Sequence, residues 1–252
     1  MKDLFFFDAD CRIGSSAVSG VGPGVKELIA HMDYSGVDRA LVRHTNINML
    51  GAVESNIEIA RMLKEDTSGR LTGMWTILPS QCDELPEPDE FFRQMKENRI
   101  GALTLSPFEH RYVPCRLTLG RIMDAARERK VPVFTNVFSG KWKDLYDFIK
   151  EFPENIFVHC DPTGKWGHDR QIRPLLENYA NFYFGMTGYM VPEGVRDIAE
   201  KYGAEKMIYS SGYPFYQEGC GMLQLKHSGL SDADIEKIAG KNLENLLKGA
   251  QL

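Results

Sequence analysis

Eight times along this chain a short run of β-prone residues gives way to a longer stretch with helical spacing. The runs are Leu4–Asp8, Ala40–Arg43, Leu71–Leu78, Ile100–Leu105, Val131–Val137, Asn155–Cys160, Phe182–Met186 and Lys206–Ser210. The helical stretches between them are Val25–Met32, Ser55–Lys64, Asp89–Lys96, Leu117–Arg129, Trp142–Phe152, Asp169–Glu177 and Gly194–Lys201. Two more helices, Ser231–Ala239 and Asn242–Leu247, close the sequence. The strands are rich in Val, Ile and Phe on both faces, as in a sheet covered by helices. Eight such units in 252 residues predict a (β/α)8 TIM barrel, a fold that takes about 250 residues. The expected organisation is a single domain over residues 1–252. A doubly wound open sheet ranks second. It usually carries a Gly-rich phosphate loop, and Val21-Gly22-Pro23-Gly24 reads instead as a turn before a helix.

Composition narrows the partners. The chain is 43% hydrophobic and 26% charged, with a formal net charge of −5. No basic stripe is present, so nucleic acid is not an expected partner. The N-terminal apolar stretch, Leu4 to Phe7, is shorter than the ~7–15 residues of a signal-peptide core. No apolar run approaches the ~20 residues of a membrane helix, and the expected location is the cytoplasm. Cys11, Cys82, Cys115, Cys160 and Cys220 are odd in number and widely spaced, which argues for free thiols. His31, His110 and His227 read as solvent-facing.

A barrel of this kind carries its chemistry at the C-terminal ends of its strands. There the sequence places Asp8, Asp10 and Arg12; Arg43 and His44; Thr104 and Ser106; Asn136; His159 and Asp161; Thr187; and Ser210, Ser211 and Tyr213. Arginines suit a substrate carboxylate, because a guanidinium binds it through two charge-assisted hydrogen bonds. A histidine there suits proton transfer, its ordinary pKa of ~6.5 lying near working pH.

With these segments in order, the sequence resembles the amidohydrolase-related family of the second amidohydrolase type. That family's D-x-H-x-H strand corresponds to Asp8-Ala9-Asp10-Cys11-Arg12. Its G-[IV]-D-[RK] turn corresponds to Gly36-Val37-Asp38-Arg39, and its P-V-x-x-H strand to Pro132-Val133-Phe134-Thr135-Asn136. Its G-S-D-[YW]-P segment corresponds to Ser210-Ser211-Gly212-Tyr213-Pro214, and its C-terminal signature to Lys237 through Leu247. The resemblance implies a metal-dependent hydrolase or decarboxylase barrel whose metal ligands fall on Asp10, Arg12, Asn136, His159 and Gly212. Only His159 is of the family's type. Arg12 stays protonated and has no acceptor, and Gly212 has no side chain.

The expectation drawn from these departures is a barrel with no cofactor, a divalent metal such as zinc being disfavoured. Its expected activity is that of a hydrolase or lyase on a small carboxylate-bearing substrate. His159, Asp10 and Asp161 are the candidate catalytic residues. Arg12, Arg43, His44, Asn136, Ser211 and Tyr213 are the candidate substrate-binding residues. A degenerate barrel that binds a ligand or partner without turnover is the alternative, with Trp142, Trp166 or Tyr189 filling the pocket. A third reading keeps a metal on Asp10, His159 and Asp161. The loop Lys165-Trp166-Gly167-His168 lies near the same rim. Expected partners are a small-molecule substrate and, left open, a second copy of the chain.

Overall fold

The structure is a computed structural model and describes residues 4–16, 20, 22–47, 51–138, 140–160 and 169–252. Asp161, Lys165, Trp166 and His168 lie outside the described residues. Eight parallel strands run in sequential order: β1 (Phe7–Ile13), β2 (Arg39–His44), β3 (Leu71–Thr76), β4 (Ile100–Thr104), β5 (Val133–Phe134), β6 (Phe157–Cys160), β7 (Phe182–Gly185) and β8 (Met207–Ile208). Neighbours pair from β1 to β8. The last strand meets the first through Ala9 N–H to the Tyr209 carbonyl at 3.1 Å and Gly212 N–H to the Asp10 carbonyl at 3.0 Å. This is a (β/α)8 TIM barrel.

Each strand is followed by a covering helix: α1 (Val25–Ser35), α2 (Ala52–Leu63), α3 (Pro88–Glu97), α4 (Arg116–Glu128), α5 (Trp142–Glu151), α6 (Asp169–Asn178), α7 (Gly194–Tyr202) and α8 (Glu218–Lys226). Two further helices, α9 (Asp232–Glu236) and α10 (Asn242–Gly249), end the chain. The strands alternate as the pleat requires. Phe7, Ala9, Leu41, Met74, Ala102, Phe134, Val158, Cys160 and Ile208 fill the barrel, and Leu243 of α10 joins them. Their strand neighbours, Val42, Trp75, Leu103, Val133, Phe157 and Met207 among them, pack outward under the helices. This alternation decides which polar residue at each strand end can reach the mouth.

Two differences from the sequence reading have plain causes. Strand β1 runs on to Ile13, through Asp8, Asp10 and Arg12. Polar residues usually mark a loop, but here Asp8 and Asp10 find buried partners, and the backbone keeps its sheet bonds past a bulge between Asp8 and Cys11. Helix α8 is unforeseen because Glu-Gly-Cys-Gly opens it, and each glycine costs about 1 kcal/mol of helix propensity.

Candidate functional site

The barrel mouth is built around an ion pair on β1 and β2. Arg43 Nε and Nη2 donate to Asp10 Oδ1 at 3.3 and 3.1 Å. Asp10 is fully buried and Arg43 nearly so. Thr187 Oγ1 donates to the other Asp10 oxygen at 3.4 Å and also bonds Ser210 Oγ at 2.8 Å. Arg12 stands directly across the ladder from Arg43. Its guanidinium lies 4.7 Å from the centre of the Phe215 ring, a cation–π contact. The charge of Arg43, helped by burial, lowers the Arg12 pKa to about 10. Arg12 Nε is buried and makes no hydrogen bond among the described residues. The sequence suggests Arg12 as the partner of a carboxylate. The structure gives Asp10 to Arg43 and leaves Arg12 as the cation of the mouth with a donor to spare.

Opposite, Asn136 follows β5. Its Oδ1 accepts the Cys160 N–H at 3.1 Å, and its Nδ2 is buried and makes no hydrogen bond among the described residues. Cys160 faces inward, close enough to feel Asp10 and Arg43. Burial first, then Asp10, pushes its thiol well up, so it stays protonated.

Three predicted residues do not reach the mouth. His159 lies between Val158 and Cys160, which both point inward, so it points the other way. It is fully buried, its ring 5.2 Å from that of Trp142. Its Nδ1 lies 3.2 Å from the Thr135 carbonyl and 3.0 Å from Thr135 Oγ1. A carbonyl only accepts, so Nδ1 carries the proton. A one-residue step along a strand moves a side chain to the other face, and here that step puts Cys160 where the sequence suggests His159. His44 likewise alternates with inward Leu41 and Arg43. It lines a separate recess with Gly14, Glu54 and Glu58, and burial lowers its pKa. Tyr213 stacks on His31 of α1, ring centres 4.3 Å apart. His31 is not free in solvent, because it bonds the buried Glu218 at 2.8 Å.

Ser211 braces the rim. Its N–H donates to Asp8 Oδ1 at 2.9 Å, and its hydroxyl accepts the Tyr213 N–H at 2.9 Å. Asp8 is fully buried, and burial raises its pKa to about 6. Gly212 has φ of +82°, and a Cβ there would come within 2.7 Å of Thr187 Cγ2. The turn therefore leaves no room for the family's side chain at this position. Sequence reasoning passed over Cys160 as a site residue. Its signal was period-two alternation along β6, counted from Val158.

Residues 24–248 match the model of the amidohydrolase family described as Amidohydrolase (Amidohydro_2). The chain belongs to that family. No curated protein matches it. Among solved structures it is similar to an uncharacterized TIM-barrel protein of Bordetella bronchiseptica, at 16% identity, TM-score 0.71, with 98% of this chain and 99% of that one covered. It is also similar to 2,6-dihydroxybenzoate decarboxylase from Rhizobium, at 12% identity, TM-score 0.73, with 97% and 99% covered. A third is the dihydroxybenzoic acid decarboxylase from Polaromonas sp. JS666, at 14% identity, TM-score 0.70, with 97% of each chain covered. That last structure holds bound manganese and the inhibitor 2-nitroresorcinol.

The manganese corrects the expectation of a barrel with no cofactor: a divalent metal accompanies this fold in a relative, and substitutions at Arg12 and Gly212 do not exclude one. The described residues do not, by themselves, fit such an ion. Among them no three His, Cys, Asp or Glu side chains come together, and Arg43 already holds Asp10 Oδ1. No helix among the described residues is long and apolar enough to cross a membrane.

Proposed function

We propose that this barrel acts as a lyase or hydrolase on a small substrate bearing a carboxylate, bound at its C-terminal mouth as a single 1–252 domain. The observation that carries this reading is the pair Arg12–Arg43, two arginines across the ladder from each other with one carboxylate, held by Arg43. Asp10 neutralises Arg43. Among the described residues Arg12 keeps an unused buried donor, and an incoming carboxylate supplies the missing charge through a charge-assisted hydrogen bond. Asn136 Nδ2 offers a second donor across the mouth.

Asp10 is the acid–base group of this reading, held in place by Arg43 and Thr187. In a lyase the bond to the carboxyl carbon breaks, carbon dioxide departs, the electron pair stays on the substrate carbon that held it, and that substrate carbon takes a proton. In a hydrolase a base draws the proton from water as its oxygen bonds the substrate carbon, and the leaving oxygen takes that proton as its own bond to the carbon breaks. Both need one titrating group beside the substrate, and Asp161 belongs to this reading as a second. His159 is a positioning residue, fixing the β5–β6 edge through Thr135. The decarboxylases of similar fold favour carboxylated aromatic acids as the first substrates to try.

Binding without turnover is the second reading. One observation favours it: neither His44 nor His159 faces the mouth. A panel of hydroxybenzoates, assayed for released carbon dioxide, and of aromatic lactones, assayed for opening, separates the two. Turnover in the native protein that falls at least about 100-fold in Arg12→Gln supports the enzyme. Binding with no product supports the second reading. No binding of any carboxylate overturns both.

A further inference from the structure

A cavity of about 820 Å³ lies between the β7–α7 segment and α8. That size is in the ~300–1,000 Å³ range of small-molecule sites. Its walls are mostly apolar, with Met186, Tyr189 and Val191 on one side and Leu223 on the other. Three large apolar side chains around it are exposed, Met190 at 60%, Phe215 at 59% and Leu223 at 59%.

Two residues tie the cavity to the mouth. Ser210 lines it, and the Ser210 hydroxyl bonds Thr187, which bonds Asp10. Phe215 also lines it, and Arg12 rests on that ring. Arg12 and the apolar cavity thus share one side chain, Phe215.

We infer that the substrate is an elongated amphipathic acid. Its carboxylate sits at Arg12, and an apolar body of at least one further ring, or a comparable alkyl segment, passes Phe215 to lie between the β7–α7 segment and α8. This rests on the carboxylate reading above. The occupant is a small molecule because the hollow is concave, sized for one, and shares the Phe215 ring with the Arg12 guanidinium.

The test is calorimetric titration of the whole protein with benzoate and with biphenyl-4-carboxylate. Burial of the second ring is expected to tighten binding roughly 30-fold. Leu223→Glu sits on the exposed rim, so folding does not depend on it. It should cut that preference to under about 3-fold and leave benzoate unchanged. Arg12→Gln should weaken both acids by a similar factor. If Arg12→Gln changes neither, the carboxylate reading fails and takes this inference with it. If it weakens benzoate while the native protein shows no preference for the longer acid, or Leu223→Glu keeps the preference, the inference alone fails. A dimer in sedimentation that Leu223→Glu dissociates also overturns it, because a second copy then covers the cavity.

Discussion

The two arcs of the mouth are built by different means. On β1 and β2 the side chains carry charge, and Asp10 and Arg43 satisfy each other out of water. On β5 and β6 the groups are neutral, and side chains hold backbone: Asn136 holds the Cys160 amide, and the Thr135 carbonyl holds His159. A buried charge pair contributes little net stability when whole but is costly to break, because the survivor stays buried. A neutral side-chain-to-backbone bond costs only its own loss and the unsatisfied partner. The charged arc is thus the fragile half, and the neutral arc is its frame.

Breaking the charged arc should have the largest effect. Asp10→Ala leaves Arg43 buried beside Arg12 with no counter-charge, and should destabilise the fold by about 3–5 kcal/mol, read as a drop in the urea midpoint. A simultaneous Arg43→Met should recover much of that loss. If Asp10→Ala alone costs under about 1 kcal/mol, the pair is not the buried element described.

Just beyond the same arc, Asp8 makes stability depend on pH. Its folded pKa of about 6 lies above the ordinary 3.8 because burial disfavours the charged form. Between those values the unfolded chain has lost the proton and the native chain still holds it. The contribution of Asp8 to stability is therefore full below pH 4, falls as pH rises, and has lost about 3 kcal/mol once pH passes 6. Asp8→Asn keeps the acceptor for the Ser211 and Asp10 amides and removes the titration. Its urea midpoint should stay flat from pH 4 to 7 while the native midpoint declines. Equal slopes in the two proteins would show that Asp8 ionises without cost.

The eight alternations and their order were legible in the sequence, because strand and helix periods are local properties. So was the presence of Asp10, Arg12 and Arg43 in the mouth, since β1 and β2 pair in register. The facing of His159 and His44 was not. A strand of four residues such as β6 leaves its inward parity to its neighbours, and one step exchanges His159 for Cys160. Nor was Tyr213, whose ring is claimed by His31 from a helix 182 positions away in sequence (213 − 31). Pairings between distant elements have no signature in local spacing.

The smallest expected effect sharpens the comparison from the neutral side. In Asn136→Ala the Cys160 N–H loses its acceptor inside the barrel, where water cannot replace it. That costs about 1–3 kcal/mol, less than Asp10→Ala. Because no charge is involved, the cost should be the same at pH 5 and pH 8. Amide hydrogen exchange localises it: Cys160 should lose protection while Phe7 and Ala9 on β1 keep theirs. An Asn136→Ala penalty as large as that of Asp10→Ala, or one that grows with pH, would mean that the two arcs act as one charged network rather than as a charged half and its neutral frame.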